Sequence, residues 1–114
     1  SGPFHTALLA PASKRLSEVL DKVTFSDFEI PLIGNTEAKV MQYDDIKALL
    51  ARQVKEPVRF YDSIETMRKL GMTEVIEIGP SKVLSGFLRK IDRSIPTASV
   101  EDEASLSVLL KNRR

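Results

Sequence analysis

A chain of 114 residues has room for one modest domain and not for two. Its formal charge of +1, with basic residues spread among acidic ones, excludes the broad positive field of a nucleic-acid binder. The chain contains no cysteine, which excludes disulfide and thiolate chemistry, and no apolar run reaches the roughly 20 residues that cross a bilayer.

The opening Ser1-Gly2-Pro3-Phe4-His5-Thr6 combines turn formers with an immediate apolar-periodic run. Leu8, Leu9, Ala12, Leu16, Val19, Leu20 and Val23 recur at three- and four-residue steps, the spacing of one buried helical face. Pro11 either starts the main helix in its first turn or kinks a helix begun near Thr6. Ile30-Pro31-Leu32-Ile33, closed by Gly34-Asn35, predicts a short strand running into a tight turn. A helix over 44–54 follows, with Asp44 as its cap and Ile46, Leu49 and Leu50 facing inward. Pro57 should end it, since a proline restricts the residue before it.

The next helix, 58–70, buries Phe60, Ile64 and Met67 and stops at Gly71. Thr73 to Ile78 is the clearest strand, despite Glu74 and Glu77. Gly79-Pro80-Ser81 then turns the chain into a helix whose inner face is Val83, Leu84, Phe87, Leu88 and Ile91. A second strand spans 95–100, and a last helix buries Leu106, Leu109 and Leu110, with Ser99 as cap and Asp102 completing a capping box. Strands separated by helices predict an α/β chain in one packing unit, with a mostly parallel sheet, right-handed crossovers and flanking helices.

His5 is the only histidine. Imidazole exchanges protons near neutral pH, so His5 is a candidate general base; on spacing alone, a surface or capping histidine is the commoner case. No second histidine and no carboxylate spacing suggests a metal site. Glu101-Asp102-Glu103 and the basic tail Lys111, Arg113 and Arg114 read as solvated termini of helices. Ser85, in Leu84-Ser85-Gly86, lacks the first glycine of a nucleophile elbow and lies in a helical run, so no credible nucleophile is present. Gly79-Pro80-Ser81-Lys82 is either a structural turn or an anion cradle at a helix start, without the glycine spacing of a phosphate loop.

Four segments, in order, resemble bacterial malonyl-CoA:acyl-carrier-protein transacylases. They are Gly2-Pro3-Phe4-His5-Thr6 with Leu8 and Pro11; Pro31 to Asn35; Gln53-Val54 with Pro57-Val58-Arg59-Phe60; and Glu77-Ile78-Gly79-Pro80 with Lys82-Val83-Leu84 and Gly86. The resemblance implies that residues 1–114 are a single C-terminal segment of the transacylase large domain, a partial sheet with flanking helices. The nucleophile-bearing part and a ferredoxin-like subdomain would lie outside it.

It further implies a ping-pong transfer of malonyl from malonyl-CoA, through a serine ester, to the phosphopantetheine thiol of acyl carrier protein. His5 would be the general base, and the main-chain carbonyl of Gln53 would orient it. The nucleophile and the malonyl-binding arginine would come from the N-terminal remainder of the enzyme, and Arg59 is not assigned that role. The expected partners are acyl carrier protein and that remainder, with no nucleic acid, membrane, metal or bound cofactor. The expected setting is the cytoplasm, and the segment alone is expected to be inactive. Ser81 departs from many relatives, which carry a glycine there; a serine is expected to fit an ordinary helix start and cap its amides. Two alternatives stand beside this reading: a polyketide synthase acyltransferase domain, and a non-catalytic α/β interaction domain.

Overall fold

The computed structural model describes residues 4–113. Gly2 and Pro3 of the histidine segment, and Arg114 of the basic tail, lie outside the described residues. The chain divides into two compact units, Ser1–Lys69 and Leu70–Arg114, where the sequence suggested a single packing unit.

In the first unit a short 3-10 turn, Ala7–Leu9, leads into α1, Ala10–Leu20. Pro11 sits in the first turn of α1, so it begins the helix rather than kinking it: its missing N–H falls where no intrahelical bond is due. Helix α2, Ile46–Lys55, packs along α1, and α3 spans Phe60–Lys69. Asp44 does not cap α2; it lies in a 3-10 turn, Tyr43–Asp45, that feeds the helix. Glu56 is extended (φ −108, ψ 151), as the residue before a proline must be, and α2 ends there.

The predicted strand at 30–33 reduces to one antiparallel bridge, Ile33 to Val40. Pro31 has no N–H for a ladder, and the chain reverses within a few residues through Ala38, whose φ is 55. The core of this unit is Met41, Ile46 and Leu49, with Phe25, Phe28 and Leu50 packed against it. Ile64 of α3 is fully buried, while Leu8 and Val19 of the predicted α1 face are exposed.

The second unit is β1 (Val75–Ile78), α4 (Val83–Ile91), β2 (Thr97–Val100) and α5 (Glu103–Asn112). The strands pair in parallel with Val75 opposite Thr97 and Ile78 opposite Val100. This is the expected α/β pattern, with two strands in the sheet among the described residues. Leu88 is fully buried, but Val83, Leu84 and Phe87 are exposed, so the inner face of α4 is Ser85 and Leu88. Ser99 lies in β2 and does not cap α5. Asp102 does, accepting from the Ser105 N–H, while the Asp102 N–H donates to the Ser105 hydroxyl oxygen.

Candidate functional site

The site grows from the C-terminus of α2. The last carbonyls of any α-helix lack intrahelical donors. At Gln53 the sequence guarantees this, because the residue four positions on is Pro57, which has no N–H. His5 takes up two successive carbonyls there. Its backbone N–H donates to Val54 O at 3.1 Å, and its Nδ1 lies 2.6 Å from Gln53 O. A carbonyl oxygen only accepts, so Nδ1 carries the hydrogen, and in the neutral ring Nε2 then keeps the lone pair. The backbone of His5 reaches this position in the left-handed region, at φ 61.

The half-buried imidazole stands at the edge of an open apolar cleft of about 480 Å³, lined by Phe4, Leu9, Leu16, Leu50 and Val54 among others. Inside the packing of α1 on α2, the Ser13 hydroxyl donates to Ala51 O at 2.6 Å. Motif and spacing alone pass over Ser13. Its signal was positional: it lies on the same helical stripe as Leu9, Leu16 and Leu20, where a buried hydroxyl needs a partner.

The asparagine and arginine segments meet here too. The Asn35 N–H donates to Gln53 Oε1 at 3.2 Å, and Asn35 O accepts from the Arg59 N–H at 2.9 Å. The Arg59 guanidinium turns to Asp62 (3.0 Å) and to the Glu37 carbonyl (3.4 Å). These bonds tie its charge to the first turn of α3 and to the 34–38 turn.

The fourth segment, in the second unit, does a different job. Glu77 on β1 accepts from the Leu84 N–H (3.1 Å), the Ser85 N–H (2.9 Å) and the Ser85 hydroxyl (2.7 Å). The Ser85 side chain, then its backbone, hold the Glu77 carboxyl below the usual range despite some desolvation. Ser81 has φ 72, left-handed rather than an ordinary helix start, and its N–H donates to Glu101. The amides of α4 are therefore capped by Glu77 and not by Ser81. Ser85 is buried and bonded to Glu77 and Ser99, a structural hydroxyl. Among the described residues no cluster of three metal-ligating side chains occurs, and no helix is long and apolar enough to cross a membrane.

Comparison with known proteins bears on this geometry. The malonyl CoA-acyl carrier protein transacylase of Bacillus subtilis is 43% identical over 112 residues, covering 97% of this chain and 35% of the relative. The crystal structure of MCAT from Streptococcus pneumoniae superposes with a TM-score of 0.93 at 62% identity, over 98% of this chain and 37% of that one. This chain is homologous to the malonyl CoA-acyl carrier protein transacylases. It spans about 35% of the length of the Bacillus subtilis transacylase, so it carries a part of the transacylase fold. A further solved transacylase, described as a malonyl-transacylase in complex with its type II PKS acyl-carrier protein, gives a TM-score of 0.89 at 35% identity, covering 98% of this chain and 37% of that one. No protein-family model matches the chain.

Proposed function

We propose that residues 1–114 form the C-terminal segment of the large domain of a malonyl-CoA:acyl-carrier-protein transacylase, with His5 as its general base. The observation that carries this reading is the 2.6 Å contact of His5 Nδ1 with the Gln53 carbonyl, which leaves Nε2 open to a substrate proton.

A serine from the rest of the enzyme supplies the nucleophile. As its oxygen attacks the thioester carbonyl of malonyl-CoA, Nε2 takes the hydroxyl proton. The carbon–sulfur bond then breaks, and coenzyme A leaves as a thiol carrying that proton. In the second half the phosphopantetheine thiol of acyl carrier protein gives its proton to Nε2 and attacks the serine ester. The serine oxygen departs and recovers the proton. Before each proton transfer, the bond to Gln53 holds the neutral imidazole in the one tautomer that can accept at Nε2. The cytoplasm is the compartment in which this reading places the reaction.

A second reading shares the chemistry and changes the carrier: the solved complex of a malonyl-transacylase with its type II PKS acyl-carrier protein favours a polyketide carrier as an alternative acceptor. The test is malonyl transfer by the full-length protein with and without His5→Ala, offered both carriers. Loss of about two to four decades of rate is expected, each decade corresponding to about 1.4 kcal/mol of barrier. Unchanged transfer would remove His5 from the mechanism.

A further inference from the structure

The geometry at His5 depends on where the Gln53 carbonyl points, and the other end of the same residue is also engaged. Gln53 lies in the last turn of α2, where no following N–H holds its carbonyl along the helix axis. Its direction is therefore open to tertiary contacts. The one made by its own side chain is the bond from the Asn35 N–H to Oε1, at 3.2 Å. A Cβ at residue 34 would stand 3.7 Å from Gln53 Oε1, an ordinary contact, and 2.9 Å from Met41 Cε, the movable end of a side chain, so the loop lies directly against the Gln53 amide. Beyond Asn35, the bond from Arg59 N–H to Asn35 O at 2.9 Å fastens the same loop just ahead of α3.

We infer that Gln53 is a positioning residue through its side-chain amide: the Asn35–Gln53 bond fixes the rotation of the α2 terminus, and with it the carbonyl that selects the Nδ1–H tautomer of His5. This rests on the reading of His5 as the base, and it assigns the loop at Gly34-Asn35 a share in aligning the imidazole. No contact between that loop and His5 is required. The coupling runs through one residue, whose backbone faces His5 and whose side chain faces Asn35.

The experiment uses the full-length protein with nitrogen-15-labelled histidine, the His5 imidazole being identified by the signal that His5→Asn removes. Two variants are compared at a pH where the ring is neutral: Gln53→Met, which keeps the reach of the side chain without its acceptor, and Gln53→Glu, which keeps an acceptor. In Gln53→Met the Asn35 amide is expected to exchange roughly fivefold faster, as for one lost hydrogen bond. The His5 ring is expected to shift toward the Nε2–H form that a free imidazole prefers. Gln53→Glu should restore both. Faster Asn35 exchange with an unmoved tautomer would overturn the inference and leave the bond a loop clamp only. Unchanged Asn35 exchange in Gln53→Met would overturn it as well. An Nε2–H ring in the unaltered chain would instead strike at the assignment of His5 itself, before either variant is compared.

Discussion

Glu77 and Ser85 are joined twice: one carboxylate oxygen accepts from both the hydroxyl (2.7 Å) and the backbone N–H (2.9 Å) of the serine. A strand residue thereby closes the first turn of the following helix, with the carboxylate at the positive end of the helix dipole. Its carboxyl is held below its ordinary value of 4.5, first by the Ser85 side chain. A depressed folded value means that the stabilisation is present above 4.5 and is lost as pH falls through the lower folded value. Asp102 at the start of α5, depressed chiefly by the Ser105 N–H, acts in the same direction. Glu77→Gln should lower the unfolding midpoint at neutral pH, and the gap from the unaltered chain should close in acid. Denaturant titrations across that range check it; a gap independent of pH would show that the charge does not matter.

Ser81 holds a left-handed backbone at φ 72, a conformation that costs an L-residue about 1 kcal/mol and glycine little. Its N–H bond to Glu101 survives replacement by glycine. Ser81→Gly should therefore be neutral to stabilising by up to about 1 kcal/mol, and Ser81→Val destabilising by at least as much. Thermal or chemical unfolding of the pair decides it.

Ile64 and Leu88 are the largest fully buried side chains, one in each compact unit. Truncating either to alanine should cost about 2–5 kcal/mol. Ser13→Ala removes a single buried hydroxyl bond to Ala51 O and should cost about 1 kcal/mol. Equilibrium unfolding measures all three. A Ser13 effect as large as that at Ile64 would mean that the α1–α2 packing depends on this bond far more than one hydroxyl accounts for.

The chain by itself should not become acylated when incubated with malonyl-CoA, since Ser85 is sequestered by Glu77 and Ser99. Intact-mass measurement checks this, and a malonyl adduct on any serine would contradict it. The same preparation should bind a hydrophobic dye and associate with rising concentration. Phe4 is 68% exposed, Leu8 75%, Ile30 76% and Ile78 82%. A strictly monomeric species in sedimentation would refute that expectation.

Periodicity was enough to locate α1 through α5, because each carries apolar residues at helical steps, and β1 and β2 stood out between them. It failed where a distant partner decides the outcome. Val83, Leu84 and Phe87 have the spacing of an inner face, yet only Leu88 of that predicted set is buried, and beside it Ser85, bonded to a carboxylate eight positions back. Asp44 and Ser99 are good caps by type, but a 3-10 turn and a strand claimed those positions. The pairing of His5 with Gln53 spans 48 positions and has no local signature. It entered the sequence reading only through resemblance to a family. What the sequence does carry is its precondition, Pro57, which leaves the Gln53 carbonyl without a helical donor.

The left-handed turn at residue 5 determines which substitution isolates the imidazole. The main-chain tether to Val54 O belongs to the backbone, so it outlives any side chain at that position able to keep the same twist. Alanine resists that twist, whereas asparagine adopts it readily. With His5→Asn the loop should keep its address on α2, and whatever rate disappears can be charged to the missing ring rather than to a segment that has wandered.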